Sequence, residues 1–276
     1  MLRTTDLTVR FGGHVAVNAV SCLFVPGRLT AIVGPNGAGK TTYFNLISGQ
    51  VKPSHGTVAL DGQNLSGFGV AQRTRAGLGR AFQLTQLFPH LTVLENVRLA
   101  VQATRQGRHR HGLNLWSLWS DHRALVQQAE EILEAVAMRH KAALPVAGLP
   151  HGDQRKLEVA LLMALDSQVF MFDEPTAGMN AAEAPVILNL IRKLKDDPSK
   201  TILLVEHKMD VVRELADRII VLHNGSLVAD GDPAEVIASP IVQEAYLGVS
   251  PQNASAQDGT TPHPGLPPHG GRSDMQ

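Results

Sequence analysis

The chain has very little cysteine and no excess of either charge. A single cysteine among 276 residues, Cys22, excludes an internal disulfide and a metal site made of cysteines, so we expect it to be a small core residue. Lys and Arg (25) balance Asp and Glu (25), which excludes a general electrostatic field that attracts nucleic acid or anionic lipid.

Long hydrophobic runs are also missing. No apolar stretch approaches the roughly 20 residues of a membrane-spanning helix. The start of the chain, Met1 to Arg10, is polar and alternating, unlike a signal peptide. The chain is nevertheless 43% hydrophobic, enough for a substantial core in one large or two small units. We therefore expect any membrane association to be peripheral and to depend on partner proteins.

The most informative segment runs Gly34-Pro35-Asn36-Gly37-Ala38-Gly39-Lys40-Thr41 and fits G-x-x-x-x-G-K-[ST]. Its glycines let backbone N–H groups surround phosphate oxygens. The apolar run 29–33 before it predicts a buried strand, and residues 41–48 after it predict a helix. In this strand–loop–helix context, we expect Lys40 to meet the β- and γ-phosphates of ATP and Thr41 to offer its hydroxyl to Mg²⁺.

A second segment, residues 169–174, is an apolar strand that ends in two carboxylates about 130 residues after Lys40. Asp173 suits a magnesium ligand that acts through water, and Glu174 suits a general base for the attacking water. An isolated strand of this kind is more often an ordinary strand end. The two segments together, in this order, predict ATP binding and hydrolysis.

The remaining pattern predicts alternating strands and helices. Thr92 and Glu95 have capping-box spacing ahead of a helix, and residues 124–137 carry an apolar stripe. Further helices are predicted over 157–165 and 186–194, a buried strand over 201–205, and a hairpin around the turn 223–226. From 249 to 276 large apolar residues give way to Pro and Gly, which predicts a disordered tail.

From about residue 2 to 248 the chain resembles the ATP-binding subunits of ABC (ATP-binding cassette) transporters, and among them the branched-chain amino acid importers. The matching runs are the phosphate loop, Arg10-Phe11-Gly12-Gly13, Gly79-Arg80-Ala81-Phe82-Gln83, Gly152-Asp153-Gln154-Arg155-Lys156-Leu157-Glu158, Asp173-Glu174-Pro175-Thr176-Ala177-Gly178-Met179-Asn180 and Val205-Glu206-His207. The resemblance implies an α/β fold: a P-loop NTPase (RecA-like) core at about 2–88 and 158–248, with an N-terminal antiparallel β subdomain and an inserted α-helical subdomain at about 89–157.

The resemblance also implies site roles. Gln83 senses Mg²⁺ and the γ-phosphate, and His207 hydrogen-bonds the γ-phosphate and orders Glu174. Phe11 stacks on adenine, with a core phenylalanine as the alternative. Residues 177–180 cross to a second protomer. The expected nucleotide-binding residues are Phe11, Gly34, Pro35, Asn36, Gly37, Ala38, Gly39, Lys40, Thr41, Thr42 and, from the opposite protomer, Gly152.

One segment departs from the family. Where the family has Leu-Ser-Gly-Gly-Gln, this chain has Leu149-Pro150-His151-Gly152-Asp153. Proline supplies neither the serine hydroxyl nor a backbone N–H, although a helix starting near Gly152 still favours phosphate. We expect the composite site that contains Pro150 to be weaker by one hydrogen bond to a charged group, about 1.5–3 kcal/mol. The alternative is that serine contributes little in this subgroup.

The resemblance implies partners as well: a second ATPase subunit, two transmembrane permease subunits and, indirectly, a solute-binding protein, but no nucleic acid. The permeases would hold this chain peripherally at the cytoplasmic face of the inner or plasma membrane. Branched-chain amino acids are the expected cargo, with urea or short amides as an alternative. A regulatory nucleotide-binding subunit also stays open because of Pro150.

Overall fold

The structure is a computed structural model that describes residues 1–81, 87–108, 117–179, 183–240 and 242–243, without the side chains of 105–108 and 117–122. The predicted tail at 249–276 and the predicted magnesium sensor Gln83 lie outside this part of the chain.

Two sheets form the framework. The first is antiparallel, in the order β2-β1-β4-β5; its strands are β1 (Leu2–Phe11), β2 (His14–Phe24), β4 (His55–Leu60) and β5 (Gln63–Asn64). The second has the order β10-β9-β3-β8-β7-β6; its strands are β3 (Leu29–Val33), β6 (Leu78–Ala81), β7 (Val169–Asp173), β8 (Thr201–Val205), β9 (Arg218–His223) and β10 (Ser226–Gly231). All neighbours in this sheet run parallel except the β9–β10 hairpin.

Helices connect and cover these sheets. Their bounds are α1 (Lys40–Ser48), α2 (Val70–Arg75), α3 (Val93–Arg108), α4 (Ser117–Ala135), α5 (His151–Ala164), α6 (Ala184–Lys195), α7 (Met209–Leu215) and α8 (Pro233–Ala238). Short 3₁₀ turns lie at Arg139–Lys141 and Val146–Gly148. No helix in the described ranges is long and apolar enough to span a bilayer.

The parallel strands are buried on both faces, because alternate side chains of a strand point to opposite sides. In β7, Phe170 and Phe172 pack into a core shared with helices α3 to α6, whereas Val169 and Met171 pack into the core shared with α1 and the antiparallel sheet. The continuous apolar strands predicted from the sequence are therefore the central layer of the fold.

Local signals account for the helix ends. The predicted capping box of α3 is confirmed: Thr92 N donates to Glu95 Oε2 at 2.8 Å, and Glu95 N donates to Thr92 Oγ1 at 3.2 Å. The hydrogen bonds that the backbone N–H and the hydroxyl of Thr92 donate to the Glu95 carboxylate lower the pKa of Glu95. Helix α4 ends at Ala135, two residues before the predicted end, because Ala137 has φ +55° and leaves the helical region.

The predicted α/β architecture, with an antiparallel β sheet and a helical portion beside the mostly parallel sheet, is confirmed. The proposed subdomain boundary at 157/158 falls inside α5, whose residues contact α3 and α4 as well as β6 and α6. That boundary stays a prediction.

Candidate active site

The phosphate loop connects β3 to α1, as its sequence context predicts. Gly34 has φ +152°, and a Cβ there would lie 2.1 Å from the carbonyl oxygen of Leu222. Gly39 has φ +95°, and its Cβ would lie 2.5 Å from the carbonyl oxygen of Ala16. Any other residue at these two positions would push the loop away from its neighbours, so glycine is required for the loop to lie where it does.

Lys40 points back across this loop. Its Nζ donates to the carbonyl oxygen of Gly34 at 2.7 Å and to that of Pro35 at 2.9 Å, and the residue is 6% exposed. Burial lowers the pKa of Lys40, and the nearby charges of Glu174 and Asp173 partly oppose that shift. A buried ammonium group thus lies close enough to two carboxylates for their charges to act on it.

The strand order explains why two distant motifs meet. β8 lies between β3 and β7, and all three run parallel, so their carboxyl ends share one edge of the sheet. In the sheet register, Val205 of β8 pairs with Ile32 of β3 on one side and with Asp173 of β7 on the other. The phosphate loop, Asp173 and the end of β8 therefore gather at the edge where ligands of open α/β sheets bind.

Glu174 and His207 form a pair at this edge. His207 Nε2 lies 2.6 Å from Glu174 Oε1, and both side chains are 39% exposed. Glu174 has φ +50°, a left-handed backbone that is uncommon for a non-glycine residue, while its N–H bonds Val205 O at 2.9 Å. The pair is accessible to water, so Glu174 can act as a base with His207 beside it.

Sequence reasoning missed a buried carboxylate behind this pair. Glu206 is almost fully buried; its Oε1 accepts a hydrogen bond from Thr176 Oγ1 at 2.7 Å, and its Oε2 accepts one from His207 N at 2.7 Å. Glu206 thereby fixes the backbone of His207 relative to the loop after Glu174. Its position directly after a buried strand, like that of Glu174, is the signal that could have identified it.

A second missed group is Arg80, whose Nη2 donates to Asp173 Oδ2 at 2.6 Å with both side chains almost fully buried. The run 79–83 contributed to the resemblance, but no role was assigned to this arginine. Arg80, on β6, is therefore the ion-pair partner of Asp173, the predicted magnesium ligand.

Phe11 lies at the end of β1 and is 53% exposed, so the alternative of a core phenylalanine is wrong. Stacking on adenine stays a prediction. Of the other predicted nucleotide contacts, Asn36, Gly37 and Thr41 are exposed, and Thr42 is half-buried. Asn180 lies outside the described residues.

The divergent segment begins helix α5. Pro150 is the N-cap and makes no side-chain cap bond, while its carbonyl oxygen accepts from the N–H groups of Asp153 and Gln154, both at 3.0 Å. Gly152 lies against Glu183, where an added Cβ would come within 2.9 Å of that carboxyl group. The predicted helix start near Gly152 agrees within one residue. The role of Gly152 toward a second protomer stays a prediction.

Asp153 stabilises this helix start. Burial disfavours its charged form, but hydrogen bonds and charge from Lys141 and Lys156 outweigh that effect, and the pKa of Asp153 is lowered. A carboxylate in the first turn also complements the helix dipole.

Comparisons with known proteins agree with this geometry. The sequence profile of the ABC transporter family matches residues 17–177, and that of the branched-chain amino acid ATP-binding cassette transporters matches residues 226–250. The high-affinity branched-chain amino acid transport ATP-binding protein LivG of Escherichia coli (strain K12) is 38% identical over 249 residues, which are 90% of this chain and 98% of LivG.

Two solved structures are similar over most of this chain. One is the ADP conformation of an ATP-binding cassette of an ABC transporter, with a TM-score of 0.75 and 29% identity over 90% of this chain and 99% of that cassette. The other is a dimeric, post-hydrolysis ATP-binding cassette bound to ADP and Pi, with a TM-score of 0.70 and 25% identity over 84% of this chain and 99% of that one. The resemblance predicted from the motifs is confirmed: the chain belongs to the ABC transporter family, as one of its ATP-binding cassettes.

Proposed function

We propose that this chain is the ATP-hydrolysing subunit of a branched-chain amino acid importer. The observation that carries the proposal is the pairing of Glu174 with His207 at 2.6 Å on the sheet edge that also holds the glycine loop and buried Lys40. These groups supply a base, a polar partner for it and a cation, which are the parts that phosphoryl transfer to water needs.

Each group has a defined task in hydrolysis. Lys40 and His207 stabilise the negative charge that spreads over the γ-phosphoryl oxygens in the transition state. Glu174 orients the attacking water and accepts its proton. Its pairing with His207 holds the carboxylate in one orientation before substrate arrives, so less ordering is needed in the transition state.

The hydroxyl of Thr41 and the carboxylate of Asp173 are oxygen donors that suit Mg²⁺, which proteins bind through one or two carboxylates together with substrate phosphates. Gln83 is the remaining predicted contact. When bound, Mg²⁺ would neutralise part of the negative charge of the phosphates. The residues of this chain set where that ion sits.

We also propose that the chain works as a head-to-tail dimer with a second cassette, identical or homologous. The dimeric cassette with ADP and Pi supports assembly with another subunit. In such a dimer each ATP lies between one phosphate loop and the start of the other protomer's α5, where the N–H groups around Gly152 face phosphate. Residues 177–180 would cross between the protomers.

An apolar groove offers a docking site for the permease. Its cavity of about 420 Å³ lies between β6 and helices α3 and α5. Phe88 at its margin is 56% exposed, and the other apolar lining residues include Leu99, Ala100, Ala103, Leu161 and Leu165. Such a groove fits a short amphipathic helix. The permeases would hold the subunit at the cytoplasmic face of the membrane.

The cargo follows from the relatives, since none of the proposed roles of this chain involves contact with solute. LivG is named for branched-chain amino acid transport, and the profile match at 226–250 carries the same description. The direct test is to purify the chain with its permeases, add the solute-binding protein and measure ATPase activity in vesicles. Leucine, isoleucine or valine should stimulate hydrolysis. Stimulation by urea and not by these amino acids would contradict the cargo assignment.

The Phe88→Glu variant tests the docking groove. A charge at the exposed margin would have to be desolvated when an apolar helix binds, so we expect loss of co-purification with the permeases. ATP affinity of the isolated chain should stay unchanged. The matched control is Leu144→Glu, an exposed residue outside the groove, which should leave assembly intact. Normal assembly of Phe88→Glu would refute the docking site.

The Pro150→Ser variant tests the divergent helix start. Serine would add a hydroxyl at the N-cap of α5, where it can donate to a phosphate held by the partner protomer. We expect the ATPase activity of the assembled complex to rise, because the added hydrogen bond to the charged phosphate contributes about 1.5–3 kcal/mol. Pro150→Ala, which removes the ring without adding a hydroxyl, is the control. Equal rates for both variants and the parent would favour the alternative that serine contributes little.

A further inference from the structure

Arg80 connects two elements that each carry a predicted magnesium ligand. At one end of the guanidinium, Nη2 donates to Oδ2 of Asp173, at the carboxyl end of β7. At the other, Nη1 donates to Asn45 Oδ1 at 2.7 Å and to Ser48 Oγ at 3.0 Å. Asn45 and Ser48 lie on α1, the helix whose first turn contains Thr41.

The environment of Arg80 keeps this bridge rigid. Its guanidinium carbon lies 5.3 Å from the centre of the Phe44 ring, and Nη1 is also 3.2 Å from Gln50 Oε1. Burial lowers the pKa of Arg80, while the charge and hydrogen bond of Asp173 raise it, and arginine stays protonated in proteins. A planar guanidinium with several acceptors has little freedom to turn.

We propose that Arg80 is a positioning residue that sets the distance and orientation between Asp173 and Thr41 for Mg²⁺. This inference rests on the proposed function, because it requires that these two residues hold the ion. Arg80 bonds Oδ2 of Asp173, which would leave Oδ1 as the carboxylate oxygen free of that hydrogen bond for the ion or its water shell. Mg²⁺ demands near-ideal octahedral geometry, and Asp173 and Thr41 come from different elements that Arg80 ties together.

The direction in which removal of Arg80 changes the affinity for Mg²⁺ shows whether Arg80 positions Asp173 or competes with the ion for it. If Arg80 orients Asp173, its removal weakens Mg²⁺ binding; partners that orient metal ligands typically account for about 10- to 100-fold in metal affinity. If the guanidinium instead competes with the ion for the carboxylate, its removal strengthens Mg²⁺ binding by relieving charge repulsion.

The test uses the full-length chain and measures ATP binding by calorimetry, first in EDTA and then over a series of free Mg²⁺ concentrations. We expect Arg80→Gln to raise the Mg²⁺ concentration that gives half-maximal enhancement of ATP binding about 10- to 100-fold. ATP affinity in EDTA should be unchanged. Arg80→Lys, which keeps the charge but loses the planar fork, should recover part of the shift.

Arg73 provides the matched control. It is a buried arginine that donates to the carbonyl oxygens of Leu46 and Ile47, both at 2.6 Å, and so supports the same helix α1. Arg73→Gln should lower thermal stability without shifting the Mg²⁺ dependence, because it has no bond to Asp173 among the described residues.

Should Arg80→Gln fold poorly, the double variant Asn45→Ala/Ser48→Ala removes two α1 anchors and keeps the ion pair. We expect it to shift the Mg²⁺ dependence in the same direction by a smaller factor. An unchanged or tighter Mg²⁺ dependence in these variants, with normal MgATP binding by the parent, would overturn the role of Arg80 alone. Failure of the folded parent chain to bind ATP would instead overturn the proposed function and, with it, this inference.

Discussion

Replacing Glu174 with glutamine is expected to lower the rate of ATP hydrolysis by the assembled complex about 10²- to 10⁴-fold, the usual contribution of a general base. The amide keeps the size of the side chain and its position next to His207, but it cannot accept a proton from water. MgATP binding should persist, so the variant should accumulate as a closed, ATP-bound dimer. A phosphate-release assay measures the rate, and size-exclusion chromatography with MgATP measures the dimer.

The control for this experiment is Glu214→Gln. Glu214 is an exposed carboxylate on α7 that pairs with Arg192 and lies outside the predicted site. Its replacement should leave hydrolysis at the parental rate. Parental hydrolysis by Glu174→Gln within the complex would show that Glu174 is not the base and that another group activates the water.

Replacing Lys40 with methionine is expected to weaken ATP binding about 10- to 150-fold, since one hydrogen bond to a charged group contributes about 1.5–3 kcal/mol. Methionine fills much of the same buried space, but it has no ammonium group to meet the β- and γ-phosphates. Calorimetric titration with MgATP measures the affinity, and thermal unfolding without nucleotide checks that the chain is folded.

Lys193→Met is the matched control, because Lys193 is an exposed lysine on α6 far along the chain from the phosphate loop. It should bind MgATP with parental affinity. The same affinity in Lys40→Met would mean that the buried ammonium group does not contact the triphosphate. The loop carbonyls of Gly34 and Pro35 would then be its true partners in every state.

The parts of the site that lie within one continuous segment were predictable from the sequence. Strands β3 and β8 have the bounds that their apolar runs predict, Leu29–Val33 and Thr201–Val205. The phosphate loop and the acidic end of β7 can both be recognised from a short stretch of sequence, the first by its glycines and the second by its paired carboxylates.

Contacts between segments were not predictable in this way. Arg80 and Asp173 are 93 residues apart and meet because β6 pairs with β7 at the end of the sheet. No local pattern encodes that strand order. The resemblance assigns roles to Gln83 and His207 but passes over Arg80, because the role depends on what a buried guanidinium contacts in three dimensions.

The start of helix α5 was not predictable from the apolar pattern. Apolar periodicity predicts a helix from Leu157, whereas the structure begins it at His151. The first turn is polar, and Pro150 at the N-cap offers no side-chain acceptor to mark the start. The family resemblance, and not the periodicity, indicated a start near Gly152.

Calorimetric titration of the folded chain with ATP, with and without Mg²⁺, tests most directly whether the two motifs bind one triphosphate. We expect saturable binding of one nucleotide per chain that tightens when Mg²⁺ is present. Well-folded protein that takes up no ATP under either condition would contradict it, because the glycine loop, Lys40 and Asp173 would then have no common ligand.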